Sequence, residues 1–273
     1  MKHDTFAFGK NSWEKRASLV ARVVRDNAPD ILGTQELVYA SIGDMERLLP
    51  NYRYVGTGRA GGTMGEYSAI FYDFQKFELL GHETFWLSRT PAQPSRSWLS
   101  VFPRICTTAR LQLRSDPQVV LQVYNTHLDH ISYLARINGL RLILEHMTEV
   151  KQIFPEIPAI LMGDFNATQT SKTLRALQQQ LLSVEDFIKL TDCYHLLLKT
   201  APDRIGRSYH GFRGAVAGKP IDYIFASREL SVQAIEIRHD NYDNVFPSDH
   251  YPVIAELHLK RLLSEFPTYS EEE

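Results

Sequence analysis

The stretch Ile157-Pro158-Ala159-Ile160-Leu161-Met162-Gly163-Asp164-Phe165-Asn166-Ala167 is an apolar run that stops at two polar side chains two residues apart. It reads as a buried strand that delivers polar groups at its end. In an extended chain residues i and i+2 share a face, so Asp164 and Asn166 are expected to project together while Phe165 points the other way. A carboxylate beside an amide suits the handling of a water and a phosphate. An Asx-type turn closing a strand would leave the same local signature, and the rest of the chain has to decide between them.

The chain has 273 residues, 44% of them hydrophobic and 11% aromatic, which is ample for a large core. No linker, repeat or internal low-complexity segment divides it. One domain is therefore expected over residues 1–264, with 265–273 as a polar C-terminal tail. A formal net charge of −2 and a pI near 6.6 argue against an obligate duplex-DNA binder, because nonspecific affinity is built from Lys and Arg neutralising phosphates. Cys106 and Cys193 make neither a disulfide framework nor a metal finger and read as reduced, buried thiols. There is no apolar run long enough for a membrane span, and Met1-Lys2-His3-Asp4-Thr5 is not followed by a signal-peptide core, so a cytoplasmic protein is expected. Nothing implies an oligomer.

Working outward, other strands also end on titratable groups. Ser12 is placed to cap a helix running to about Asp26, and Ile31-Leu32-Gly33-Thr34-Gln35-Glu36 follows as a strand ending on an acid. Gly56-Thr57-Gly58-Arg59-Ala60-Gly61 spells a dinucleotide-binding GxGxxG, but the strand-like Tyr67 to Tyr72 follows where that fingerprint needs a helix, so a loop is expected. Arg104 to Leu113 and Val119 to Asn125 form a hairpin about Ser115-Asp116-Pro117, and the second strand ends in Thr126-His127-Leu128-Asp129-His130. Ser132 caps a long helix to about Phe154. Asp222 stands in the strand from Pro220 to Phe225, where an inward carboxylate needs a partner, and Ser248-Asp249-His250 precedes the strand from Val253 to Leu257.

These strand ends gather hard oxygen ligands and imidazoles without cysteine, a donor set suited to Mg2+ or Mn2+ rather than to structural zinc. Metal-assisted phosphate ester hydrolysis needs a cation, a base for water, donors for developing charge and a leaving-group stabiliser, and the inventory supplies each.

In order, Thr34-Gln35-Glu36, Asn125-Thr126-His127-Leu128-Asp129, Gly163-Asp164-Phe165-Asn166, Ile221-Asp222-Tyr223-Ile224 and Ser248-Asp249-His250 resemble the motifs of the endonuclease/exonuclease/phosphatase superfamily, the relatives of deoxyribonuclease I and exonuclease III. Each motif is weak alone; five in this order are strong. The resemblance covers nearly the whole chain and is nearest to a bacterial group of unassigned substrate. It implies an α/β fold, a four-layer α/β sandwich of two packed β-sheets flanked by helices, with the site at one end of the sheets. It also implies roles: Glu36 as principal metal ligand, Asp249 near the metal or a second metal position, Asp164 as the group activating water, and Asn166 holding phosphate and base. His127 would donate to a phosphate oxygen, and His250, its ring fixed by Asp222, would stabilise the phosphorane-like charge. An Asp222–His250 pairing has a physical motive of its own, since a buried Asp needs a donor and an oriented imidazole needs an acceptor. Arg104, His210, Phe212 and Arg213 are candidates for substrate contact.

The chain departs from the pattern in one place. The family normally begins with a central strand carrying a metal-binding Asn; here that strand is read as missing, and Asn11 does not replace it, because it abuts the Ser12 helix start. The expected function is a Mg2+-dependent phosphoesterase acting on nucleic acid, an inositol phosphate or a phospholipid headgroup, the mild acidity favouring a small substrate over nucleic acid. The alternative from another class is an impaired relative that binds a phosphate ligand without turnover.

Overall fold

A computed structural model describes residues 9–176 and 188–260; the expected tail at 265–273 lies outside the described residues. The elements run α1 (Trp13–Asn27), β1 (Ile31–Leu37), α2 (Tyr39–Leu48), β2 (Tyr52–Val55), β3 (Tyr67–Asp73), β4 (Phe77–Trp86), β5 (Ile105–Leu113), β6 (Val120–His127), α3 (Tyr133–Ile153), β7 (Ala159–Asp164), β8 (Leu190–Asp192), α4 (His195–Thr200), β9 (Asp222–Ser227), β10 (Leu230–Ile237) and β11 (Val253–Leu259).

One sheet is continuous, with strand order β4-β5-β6-β7-β9-β8. Within it β6 and β7 are parallel, joined by the crossover helix α3, and the other pairs are antiparallel. The facing strands come in two pieces, β1-β3-β2 and β10-β11. Val55, Ile70, Leu111, Val123 and Met162 fill the space between the sheets. On the far side of the continuous sheet, Leu140, Ile143, Leu144 and Met147 of α3 meet Tyr124, Leu161 and Phe165. On the outer side of β1 and β3, Val20 and Ala21 of α1 and Ile42 and Met45 of α2 cover Leu37 and Phe71. The layers therefore run helix, sheet, sheet, helix, and each fully buried aliphatic side chain among them contributes about 1.5–3 kcal/mol by leaving water.

Among the described residues no strand joins β1 to β11. A groove of about 1420 Å³ runs along Ile31 on one side and Ile254 to Leu259 on the other, with Met162 and Ile224 at its base, and a smaller cavity of about 230 Å³ under Val20, Val23 and Val24 continues it toward His250. Asn11 lies in a short 3-10 turn, Gly9–Asn11, and its carbonyl accepts from Arg16 Nε at 2.6 Å. Ser12 begins α1 as expected, but its side chain makes no capping hydrogen bond. Ser132 does cap α3, its hydroxyl accepting from the Ala135 N–H. No helix among the described residues is long and apolar enough to cross a membrane.

Candidate active site

The site lies where β1, β6 and β7 end and β9 begins. Parallel pairing of β6 with β7 sets His127 beside Asp164, and antiparallel pairing of β7 with β9 sets Asp164 beside Asp222. Gly163, one residue before the end of β7, has φ 146°, and a Cβ built there would stand 2.0 Å from the Thr126 carbonyl oxygen. Only glycine lets the two strands approach this closely.

Asp164 sits at the centre. Its Oδ2 is 3.6 Å from His127 Nε2 and 3.9 Å from His250 Nε2, while Oδ1 accepts the Asn166 N–H at 2.7 Å. His250 Nδ1 is 2.8 Å from Asp222 Oδ2, the expected pairing, which turns Nε2 toward Asp164. Burial opposes charge on His250, but Asp222, Asp164 and Asp249 together outweigh it and raise the imidazole to about 9. Burial, reinforced by Asp222, raises Asp164 to about 7. His127 is pushed well below its ordinary value, by burial first and then by Arg104 and His250, so it is a neutral imidazole. One buried carboxylate is thus flanked by one neutral and one charged ring, each able to donate.

Asn166 corrects the extended-chain expectation. It stands beyond the end of β7 with φ 46°, its N–H closing an Asx turn onto Asp164 and its Nδ2 donating to the Leu128 carbonyl at 3.0 Å. The turn and the site are the same object, because the turn holds the Asp164 carboxylate in place.

Glu36 reaches the site by a bulge. The β1–β3 register shifts between Gln35 and Leu37, and Glu36 itself has φ 65°. A left-handed non-glycine residue costs on the order of 1–3 kcal/mol, and such bulges re-aim side chains at functional sites. Asn125, fully buried on β6, supports the bulge from below: its Nδ2 donates to the Thr34 and Ala69 carbonyls at 3.0 and 2.9 Å, and its Oδ1 accepts from Gln35 Nε2 at 2.7 Å.

Among the described residues, two groups of side chains offer ligand atoms within 4.8 Å of one another, namely Glu36, Glu66 and His127, and Asp164, Asp222 and His250. The first fits a hard divalent cation, with two carboxylates and a neutral imidazole. Burial, the foremost influence on Glu36, raises its carboxyl, so a cation would relieve an unfavourable charge. In the second group His250 and Asp222 are already bonded to each other. Asp249 belongs to neither group; it is buried, its carbonyl accepts from His210 N and Gly211 N, and its charge acts on both Glu36 and His250 from a distance.

Glu66 is the site residue that reading along the sequence passed over. It precedes β3, and because β3 runs antiparallel to β1, with Gln35 opposite Ser68 and Leu37 opposite Tyr67, it lands beside Glu36. The available signal was an acid just after the glycine-rich loop.

The other candidates separate. Arg104 is buried close to Asp129 and His130, within the field of Asp164. His210 is 3% exposed and stacks on Tyr251 at 4.0 Å between ring centroids; burial lowers it to about 4. It packs the floor rather than facing outward. Phe212, with φ 59°, lies 5.1 Å beneath the Arg16 guanidinium, and Arg213 is exposed in the same turn. Arg16 is itself fully buried and donates from Nη1 to the Pro247 carbonyl at 2.7 Å, fixing the segment that carries His250.

The structure superposes on a mannosyl-6-phosphatase from Bacteroides thetaiotaomicron VPI-5482 with a TM-score of 0.80 at 32% identity, covering 91% of this chain and 92% of that one. It matches an endonuclease/exonuclease/phosphatase family protein of Bacteroides thetaiotaomicron with a TM-score of 0.79 at 32% identity, covering 90% of each chain. In sequence it is 28% identical over 173 residues to Nocturnin of Drosophila melanogaster, a match taking in 57% of this chain but 24% of that protein, so this chain spans about a quarter of that curated relative. The model of the Endonuclease/Exonuclease/phosphatase family matches residues 7–250. With its polar strand ends converging on Asp164 and its family motifs in order, the chain belongs to the endonuclease/exonuclease/phosphatase family.

Proposed function

We propose that the chain hydrolyses its phosphate ester with a divalent cation, Mg2+ or Mn2+, which Glu36, Glu66 and His127 would hold. The observation that carries this reading is the Asp164 carboxylate set between His127 and His250 at the end of β7. Bound there, a cation supplies neutralisation of phosphate charge and a more acidic water.

The chain's own groups do the rest. Asp164, raised to about 7, takes the proton of the attacking water near neutral pH. His250, kept protonated by Asp222, donates from Nε2 to the phosphoryl oxygens as charge builds on them. His127 adds a neutral N–H. Asn166 holds Asp164 in the orientation that this transfer needs. The water oxygen forms the new P–O bond, the ester P–O bond breaks with its electron pair on the alcohol oxygen, and that oxygen takes up a proton.

Among substrates, the low net charge favours a small ester over a nucleic acid, with inositol phosphates, phospholipid headgroups and sugar phosphates as the classes to test. The neighbour whose name is mannosyl-6-phosphatase supports a sugar phosphate. Purified protein is to be assayed with Mg2+, with Mn2+ and after chelation on these esters, on p-nitrophenyl phosphate and its bis ester, and on oligonucleotides. Hydrolysis that disappears with chelation and returns with metal supports the proposal; hydrolysis indifferent to metal, or absent throughout, refutes it.

A further inference from the structure

Beside the catalytic cluster lies a cationic layer that the reaction above does not use. Arg59, in the loop between β2 and β3, pairs through Nη1 with Glu66 Oε2 at 2.9 Å, and its guanidinium lies 4.6 Å from the centre of the Phe102 ring. Phe102 is 44% exposed and stacks on His130 at 6.4 Å. Arg104 closes the layer, donating from Nη2 to His130 Nδ1 at 2.8 Å. That bond requires an unprotonated Nδ1, and burial, followed by the charge of Arg104, does lower His130.

Arg104 is the anomaly. It is 6% exposed, and its buried Nε has no hydrogen-bond partner. The nearest carboxylate oxygen, Asp129 Oδ2, is 3.6 Å away. That carboxylate is already engaged, since Oδ2 accepts from Ser100 Oγ and Oδ1 from the Ile131 and Ser132 N–H groups. A buried guanidinium so poorly satisfied normally has an acceptor to meet. A second like charge, Arg59, lies within range of the same group. Both arginines act on His127, and Glu66, the partner of Arg59, shares a ligand group with Glu36 and His127. A cation drawing on Glu66 would release Arg59.

We propose that Arg59 and Arg104, flanked by the Phe102–His130 stack, form an anion subsite that selects a terminal phosphate, the dianion of a monoester, over a bridging diester. The proposal rests on the phosphoesterase reading and names its substrate class. The charge difference is the physical basis: a monoester carries about −1.5 to −2 at pH 7, a diester only about one negative charge, and two guanidinium groups beside the reacting phosphoryl reward the extra charge through charge-assisted bonds.

The test measures inorganic phosphate and diethyl phosphate binding calorimetrically in the presence of Mg2+, and kcat/KM on p-nitrophenyl phosphate and bis(p-nitrophenyl) phosphate. The wild type is compared with Arg59→Gln, Arg59→Lys and Arg104→Gln. The wild type is expected to bind phosphate and to prefer the monoester. In Arg59→Gln and Arg104→Gln, phosphate affinity falls by about tenfold or more and the monoester-to-diester ratio of kcat/KM falls by about as much. Arg59→Lys keeps most of the monoester rate. Because Arg104 is buried and its replacement can unfold the protein, Arg59→Gln decides if Arg104→Gln does not fold. Equal losses on both esters, or phosphate binding that neither variant weakens, overturn the subsite, as does a wild type that binds no phosphate. A wild type that binds phosphate through these arginines yet cleaves neither ester leaves the subsite standing and refutes the catalytic reading instead.

Discussion

The two β layers supply the site in opposite ways. The continuous sheet carries His127, Asp164 and Asp222 on three neighbouring hydrogen-bonded strands, so their spacing follows from strand pairing. Among the described residues the facing strands fall into two groups and bring Glu36 at the end of one and His250 ahead of the other. Backbone pairing holds β1, with Glu36, against β3 and His250 against Tyr209, and side chains tie these pieces to the rest of the fold. Arg16 ties α1 to Pro247, and Asn125 ties β1 and β3 to β6. Residues of the continuous sheet share the stability of one ladder, whereas Glu36 and His250 also depend on these side-chain ties.

The comparison breaks first at chemistry. Asp164→Asn is expected to lower kcat by about 10²–10⁴ with the melting temperature nearly unchanged, and His250→Ala to act similarly, measured by steady-state turnover and thermal unfolding. An Asp164→Asn protein with near-normal turnover would remove the ladder-held half from the mechanism.

Stability sharpens it next. Arg16→Met removes charge-assisted bonds to Asn11 and Pro247, each worth about 1.5–3 kcal/mol. Denaturant unfolding should show a comparable loss, and hydrogen exchange should rise around 247–252 before it rises in β6 and β7. Uniform acceleration would mean the two layers are not energetically distinct. Asn125→Ala leaves the Thr34 and Ala69 carbonyls without this donor, for about 1–3 kcal/mol, and should weaken Mg2+ affinity through the Glu36 bulge more than it lowers metal-saturated kcat.

The smallest effect is on pH dependence in chelator. Asp164 is raised to about 7 and His250 to about 9, both above their unfolded values of about 3.9 and 6.5, so in each window the folded state binds more protons than the unfolded one. Stability from Asp164 is therefore full below pH about 4 and lost through about 7, and that from His250 is full below about 6.5 and lost through about 9. Asp222→Asn should flatten the upper window in melting temperature plotted against pH. An unchanged slope there would break the Asp222–His250 linkage.

Much of this was legible in the sequence, for reasons that differ by residue. Strand ends are written locally, so apolar runs stopping at Glu36, His127 and Asp164 announced themselves, and the Asp222–His250 pair followed from the need of a buried acid for a donor. Glu66 and Arg59 were hidden because antiparallel pairing, not local pattern, brings a glycine-rich loop beside β1. His210 looked available because its burial depends on Tyr251 and Phe246, which come some forty residues later in the chain. Asn166 was pictured wrongly: the spacing of an extended strand was applied two residues past the strand's end.

Gly163 bears on mutational tolerance. Most core positions accept a neighbour of similar size after small adjustments, but here the obstacle is main chain, the Thr126 carbonyl 2.0 Å from any Cβ, and a backbone cannot step aside without parting β6 from β7. Every substitution at this codon should therefore be costly, alanine included. A saturation library screened for phosphate ester cleavage should return glycine at 163 almost alone, while Leu161 and Met162 of β7 tolerate other apolar residues of similar size.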